Sequence, residues 1–322
     1  MHGETGGTVI INAHVQELYG LPAFDFPKAD GRGELPAADA VAWRIAVDSY
    51  DDEEEWAEAF ERFLGRVDTR QVRALIVGEW TEAFENAAAE AIDAIVAAKD
   101  RLPALRSVFL GDMSAEQCEI SWIVLGDVTP LLVNFPQLEE FGVRGANLEF
   151  PAVRHHGLRS LVVESGGMPA GAVRGIAASD LPALRRLDLW LGTSEYGGDS
   201  SVSDLEPFRA GARIPRVEHL ALHNSEIQDA IAVAMAEAPV VARLKVLDLS
   251  MGVLTDEGGT ALLAGQPLTH LEKLDLHHNY LSEEVRSRLV RELEPAGVEV
   301  LTDPEDAGTE DDPSWRFVAV GE

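Results

Sequence analysis

Short apolar runs recur along the chain with a fixed internal spacing. In each run an apolar residue is followed by two more, three and five positions later, and the eight runs begin at Val72, Leu105, Leu138, Leu158, Leu184, Val217, Leu244 and Leu271. All three positions are apolar in all eight runs, although only 46% of the chain is hydrophobic. The last two positions of a run are two residues apart and therefore point to the same side of a strand. The pattern predicts eight short strands, each with one face in the core.

Stretches with helical spacing separate the predicted strands. Apolar residues recur at intervals of three and four in residues 53–67, 85–99, 227–238 and 283–293, as expected for amphipathic helices. Ser282 before Glu283 is a helix start signal, and Thr255 before Asp256 is another. The runs begin 20 to 33 residues apart, and the shortest interval predicts a unit without a full helix. Strands and helices thus alternate through most of the chain.

The ends of the chain depart from this alternation. Residues 1–40 are rich in scattered glycine and proline, and we interpret them as an N-terminal cap. A weaker ninth run, with Ile45 and Val47 inward, opens the repeat region at residues 41–301, and Val298 and Val300 end it. Residues 302–322 are interpreted as an acidic loop followed by a C-terminal cap, because 302–314 hold six acids and 315–320 are mostly apolar.

The clearest runs carry the signature of a leucine-rich repeat. They are Leu244-x-x-Leu247-x-Leu249 and Leu271-x-x-Leu274-x-Leu276, the second continuing to Asn279-x-Leu281. Their strand–helix unit resembles the intracellular, ribonuclease-inhibitor-like class of these repeats. The resemblance implies an α/β solenoid with parallel strands on the concave face and helices on the convex face. The cysteine-rich composition of that class is missing here, so ribonuclease binding is not carried over.

A second resemblance covers the whole chain. Residues 20–27, 41–48 and 188–194 are similar to segments of a bacterial leucine-rich repeat family without an assigned activity. This resemblance implies the same solenoid. It implies no catalytic residue, cofactor or partner that could be transferred to this sequence.

The charge of the chain narrows the classes of partner. The 322 residues carry 26 basic and 56 acidic side chains, a formal net charge of −30. Nucleic acid and anionic membranes are not expected as partners, because binding to either needs a basic surface. The excess of acid either serves solubility or attracts a basic protein or peptide.

Cysteine content and the first residues indicate a compartment. Cys118 is the single cysteine, so no disulfide can form within the chain, as is usual in a reducing compartment. The first 15 residues have no basic region and no apolar run beyond three residues. They do not resemble a signal peptide. We therefore expect a cytoplasmic protein.

The residues between the core positions of each run form the opposite face of the predicted sheet. In the C-terminal half these outward positions collect charged and aromatic side chains, and Trp190 is expected to be exposed among them as an interface anchor. The candidate partner-binding residues are Arg144, Glu164, Arg186, Asp188, Trp190, His219, His223, Asp248, Asp275, His277 and, in a loop, Tyr196. A face that is polar only because it meets solvent is the alternative.

A metal site in this cluster is a further alternative, because histidine and aspartate are suitable ligands. Parallel strands, however, spread such ligands along a ladder, whereas one zinc ion needs them to converge. His277 and His278 are also adjacent and point to opposite sides of a strand. We assign no metal, no cofactor and no catalytic residue; the sequence contains no GxxxxGK[ST], GxSxG or HExxH motif.

Two long insertions follow predicted strands at the same edge of the sheet. They are residues 112–129, with Cys118 and Trp122, and residues 192–204, with Tyr196. Such loops often carry binding specificity, although insertions are also tolerated without function. The sequence thus predicts a non-catalytic protein-binding scaffold. The alternative is an accessory subunit or enzyme with a small-molecule or metal site in the C-terminal cluster.

Overall fold

Most of the strands form one sheet in which chain order sets spatial order. The computed structural model describes residues 13–29, 31, 33–48, 54–307 and 316–321. Within these residues the strands are β1 (Glu17–Leu18), β2 (Leu21–Asp25), β3 (Ala42–Ile45), β4 (Ala74–Val77), β5 (Ser107–Leu110), β6 (Val124–Asp127), β7 (Glu140–Arg144), β8 (Ala146–Glu149), β9 (Ser160–Glu164), β10 (Arg186–Gly192), β11 (His219–Ser225), β12 (Val246–Asp248), β13 (Lys273–Asp275) and β14 (Glu299–Leu301). All but β6 and β8 belong to the main sheet, and those two pair in a small second sheet. Only β1 and β2 pair antiparallel.

The helices lie between the strands along the chain. They are α1 (Trp56–Arg66), α2 (Ala89–Ala97), α3 (Thr129–Asn134), α4 (Ala170–Ala178), α5 (Glu206–Ala210), α6 (Gln228–Met235), α7 (Asp256–Ala264) and α8 (Glu283–Leu293). Among the described helices, none is long and apolar enough to cross a membrane. The strands and helices together make this a mixed α/β protein with a large, mostly parallel sheet.

The register of the sheet follows the repeat, as the apolar spacing predicts. Arg186 in β10 lies opposite His219 in β11 and Ser160 in β9, so that equivalent positions of the repeat are neighbours. The same alignment continues through β12 and β13. All eight predicted strands are thereby confirmed, and the weaker ninth run is β3.

The core lies on one side of this sheet. Leu187, Leu220 and Leu247 stack at equivalent positions and are fully buried. They belong to the same apolar cluster as buried residues of the helices, such as Phe63 of α1 and Ile231 of α6. Burial of these side chains stabilises the fold because it removes apolar surface from water.

The predicted helices are confirmed, with shorter bounds at three of them. The helix predicted over 85–99 begins only at Ala89, because Trp80 donates to the carbonyl of Asn86 and the chain turns there, with φ of 51° at Glu82. The interval of 20 residues between two runs contains β8 and no helix, as predicted. Helix α8 spans the predicted residues 283–293.

Replacing Ser282 with alanine is expected to lower the free energy of unfolding by about 1 kcal/mol. The Ser282 hydroxyl caps α8 by accepting a hydrogen bond from the backbone N–H of Val285 at 3.3 Å. The matched control is Ser287→Ala in the same helix, where the hydroxyl caps nothing and only bonds to Glu283. Urea denaturation of both variants measures the difference, and equal stability would contradict the capping role.

Two described segments near the ends of the chain, residues 15–19 and 319–320, lie over the outward face of the sheet. At the N-terminal end, Val15, Leu18 and Tyr19 pack on outward-facing Ile76 and Phe109. Residues 17–25, which belong to the predicted N-terminal cap, form β1 and β2, and β2 pairs with the edge of β3. Residues 1–12 and 308–315 of the predicted terminal segments lie outside the described residues.

Candidate functional site

The candidate residues of the C-terminal half come together on the outward face of β10 to β13. Parallel strands in register place equivalent side chains in rows about 4.8 Å apart. Asp188, Ala221 and Asp248 form one such row, and Asp275 continues it. The register deduced from the apolar spacing therefore places these side chains correctly.

Asp188 is the centre of an ionic network on this face. It accepts from Arg186 Nη2 at 2.6 Å and lies 2.8 Å from His223 Nε2. The other ring nitrogen of His223 lies 3.5 Å from Asp248 Oδ1. Asp188 and His223 are buried, whereas the Arg186 side chain is 49% exposed. The network thus joins the half-exposed side chain of Arg186 to buried partners.

The two carboxylates determine the charge of His223. Burial opposes protonation of the imidazole, but Asp248 and Asp188 outweigh it and raise the pKa of His223 to about 10. Conversely, burial disfavours the charged form of both carboxyls, yet His223 holds the pKa of Asp188 and of Asp248 below its ordinary value. At neutral pH the face therefore contains an imidazolium between two carboxylates.

Ser250 gives this network the composition of a hydrolase triad. Its Oγ lies 3.3 Å from His223 Nδ1, and Asp188 lies on the other side of the ring. The protonation is wrong for catalysis, however, because a protonated histidine cannot accept the hydroxyl proton. Ser250 also donates to Asp248 at 2.6 Å and is fully buried. With His223 protonated, the Ser250 hydroxyl serves as a hydrogen-bond donor to Asp248.

A second, smaller group lies on β13 and just after it. Asp275 accepts from Lys273 Nζ at 2.8 Å and lies 2.6 Å from His277 Nδ1. Burial lowers the pKa of His277, but Asp275 outweighs this effect and raises it. Lys273 and His277 remain partly exposed, so this group continues the polar surface of β10 to β12 toward the C-terminal end of the sheet.

Arg144 and Glu164 belong to a different network, at the other end of the face. Arg144 Nε donates to Glu164 at 2.7 Å, and Arg144 Nη1 lies 3.6 Å from Asp112. Asp112 is fully buried and also accepts from Arg44 Nε at 2.6 Å. Arg44 in turn bonds to Val15 of the N-terminal segment. These two candidates are therefore part of a buried structure beneath the chain's own N-terminal residues.

The sequence patterns did not single out Arg44 and Asp112 as members of a buried network. Arg44 occupies an outward position of the weak ninth run, opposite Ile76 of β4. A charged side chain next to an apolar one in the same row of outward positions indicates that the charge is buried and has an ion-pair partner. No comparable signal marked Asp112, which follows β5 by two residues.

The expectation of an exposed Trp190 is wrong. Trp190 is only 7% exposed, since Ile120, Met251 and Val320 pack around it. Its ring also meets His223 edge-on, with centroids 5.6 Å apart. Residues 316–321, which we call the tail, come from the far end of the sequence to cover it. Trp190 therefore cannot anchor a partner while the tail is in place.

Tyr196 lies at the edge of the sheet rather than on the outward face of β10 to β13. It ends a short turn in the insertion 192–204 and lines a cavity together with the tail. The insertion 112–129 reaches the same place, where Ser121 donates to the carbonyl of Gly321. Both insertions thus meet the tail at the carboxyl ends of the strands.

A metal site and Cys118 are the other chemical candidates. Among the described residues, no three or more His, Cys, Asp or Glu side chains are arranged to hold a metal ion. Burial and the nearby carboxylates Glu79 and Glu119 raise the pKa of Cys118 to about 11. Its thiol is therefore protonated at neutral pH and a poor nucleophile.

The fold is shared with a solved structure. A structural-genomics protein from Bacteroides fragilis is 28% identical, with a TM-score of 0.76 over 87% of this chain and 77% of that chain. An internalin from Listeria monocytogenes is 12% identical, with a TM-score of 0.34 over 72% of this chain and 54% of that chain. No protein-family model and no curated protein matches the sequence. The Bacteroides fragilis structure shows that this arrangement of strands and helices occurs in a second protein.

Proposed function

We propose that the chain is a leucine-rich repeat solenoid that acts as a non-catalytic protein-binding scaffold. Repetition of one strand unit in register supports the solenoid, with strands on its concave face and helices on its convex face. Solenoids of this kind use the strand face as an extended binding surface. The proposed binding surface, here called the polar face, lies on β10 to β13 and just after them, and comprises Arg186, Asp188, His219, His223, Asp248, Lys273, Asp275 and His277.

The observation that carries this proposal is the anchoring of Arg186. Its guanidinium is half exposed, while Asp188 and His223 beneath it are buried and hydrogen-bonded to each other. A side chain fixed in this way loses little conformational freedom when a partner binds. His219, Lys273 and His277 extend the same surface, between the N-terminal segment and the tail.

The expected partner is a protein or peptide. The net charge of −30 favours one of basic character through long-range attraction, and it disfavours nucleic acid and anionic membranes. A scaffold without catalysis also agrees with the hydrogen bonds on the polar face, where Ser250 donates to Asp248 and His223 pairs with Asp188. We propose a cytoplasmic location on the basis of the single cysteine.

Capture of partners from native lysate at moderate salt tests the proposal. We expect a protein retained by the wild type to be lost from a variant carrying Arg186→Ala and His219→Ala. The matched control is Arg174→Ala, which removes an exposed arginine of α4 that is likewise paired with an aspartate, Asp204. Equal recovery by the wild type and the double variant would rule out the polar face.

Thermal unfolding with added ligands distinguishes the scaffold from a metal or small-molecule site. A ligand that binds only the folded state raises the melting temperature. We expect Zn²⁺ and a panel of metabolites to leave the melting temperature unchanged. A rise of several degrees that disappears in Asp248→Asn would instead favour an accessory subunit or enzyme with its site in this cluster.

A further inference from the structure

The tail lies in a crevice across the carboxyl ends of the parallel strands. Phe317 lies beside Tyr280, which follows β13; Ala319 meets Met251, which follows β12. Val320 bonds to Asn224 near the end of β11. Gly321, the last residue of the tail, accepts a hydrogen bond from the Ser121 hydroxyl.

The body of the protein holds the tail mainly through its backbone. The side-chain amide of Asn224 binds Val320 twice: Nδ2 donates to its carbonyl at 2.7 Å, and Oδ1 accepts from its N–H at 3.0 Å. The N–H of Ala319 donates to the carbonyl of Met251 at 2.8 Å, and the N–H of Phe317 donates to the Tyr280 hydroxyl at 2.9 Å. None of these bonds depends on the side chains of the tail.

The side chains of the tail alternate between the crevice and solvent. Val318 and Val320 are buried, whereas Phe317 is 50% exposed. Ahead of them, the Arg316 guanidinium lies over the Tyr280 ring, 5.5 Å from its centroid. Backbone hydrogen bonds combined with pockets for alternate side chains are how proteins recognise extended peptides.

The tail does not fill the crevice. A cavity of about 560 Å³ remains beside it, lined by residues of the insertion 192–204, by Glu226 and Val253, and by the tail itself. Thr193 lines this cavity, and its hydroxyl is buried without a hydrogen-bond partner among the described residues. The crevice therefore has room for a larger peptide than the tail.

We propose that this crevice is a peptide-binding groove and that the tail is an exchangeable occupant of it. The partner segment is extended, with a basic residue ahead of two apolar residues that are two positions apart, as in the tail. A second copy of the chain is disfavoured as the source, because two molecules of net charge −30 repel each other. The groove adjoins the polar face, because the tail packs on Trp190 and Trp190 meets His223, but its assignment does not depend on Arg186.

Cleavage of the full-length chain at a protease site placed within residues 308–315 tests the proposal. The probe is a fluorescent peptide with the sequence of residues 316–322, followed by anisotropy. We expect it to bind the cleaved chain and to bind the intact chain at least about 10-fold more weakly, since the tethered tail competes at a high effective concentration. The same peptide with Val318→Asp and Val320→Asp should not bind.

Asn224→Gly in the cleaved chain isolates the recognition step. Asn224 has φ of 50°, which glycine adopts without strain, so this change removes the amide and keeps the backbone. We expect binding about 10-fold weaker, as for the loss of two hydrogen bonds. Asn134→Gly, at the end of α3, is the control and should bind like the cleaved parent.

Three results would overturn the proposal. The cleaved chain could unfold, as judged by circular dichroism, which would make the tail an integral part of the fold. It could stay folded and bind the peptide no better than the intact chain does. The intact chain could also form dimers that dissociate in Asn224→Gly, which would assign the groove to a second copy.

Discussion

Replacing Asp112 with alanine is expected to lower the free energy of unfolding by about 3–5 kcal/mol. Asp112 is fully buried between Arg44 and Arg144, whose side chains are only 9% and 8% exposed. Removal of the carboxylate leaves Arg44 paired only with Asp25, whose side chain is 78% exposed, and Arg144 paired only with Glu164, so both buried guanidinium groups lose their buried counter-charge. The backbone N–H of Val15, which donates to Asp112 at 2.9 Å, also loses its acceptor.

Glu218→Ala is the matched control for Asp112→Ala. Glu218 also pairs with two basic residues, Arg185 and Lys245, but both pairs lie at the surface. Surface pairs contribute only about 0–1 kcal/mol, because water and salt screen them. Urea denaturation of both variants gives the comparison. Similar losses in the two variants would show that the Asp112 network adds nothing beyond a surface pair.

Replacing His223 with glutamine is expected to cost most stability at low pH and least at high pH. The pKa of His223 is about 10 in the fold, above its ordinary value of 6.5. The folded state therefore binds this proton more tightly, and the resulting stabilisation is complete below pH 6.5 and is lost as the pH rises through 10. At pH 6 the variant leaves Asp188 with Arg186 alone and takes away the imidazolium beside buried Asp248, at a cost of about 3 kcal/mol.

Urea denaturation of the wild type and His223→Gln from pH 6 to pH 10 measures this effect. The difference between the two proteins should shrink steadily over this range. Taking the difference cancels titrating groups that the substitution does not touch. A difference that stays constant with pH would contradict a protonated His223 held between two carboxylates.

The strands and their register were predictable because they depend on a local and repeated signal. Apolar residues three and five positions after each start, such as Leu187 and Leu189, leave only one side of the strand for the core. The outward position of Asp188 and His223 then follows from alternation alone. The sequence therefore predicts which candidate residues share a face.

Coverage of that face was not predictable, because it depends on contacts between distant parts of the chain. Asn224 bonds to Val320, which is 96 residues away in sequence. Alternation places Trp190 outward, as it is, but cannot show that the tail lies on top of it. The buried network of Asp112 likewise joins residues from three separate strand regions. The partner-binding role of the polar face remains a prediction.

Chemical footprinting of arginines in the captured complex tests the central claim most directly. Phenylglyoxal modifies exposed guanidinium groups, and Arg186 and Arg174 are 49% and 61% exposed in the free protein. If the polar face binds the partner, complex formation protects Arg186 and leaves Arg174 reactive. Unchanged reactivity of Arg186 in a saturated complex would show that the partner binds elsewhere.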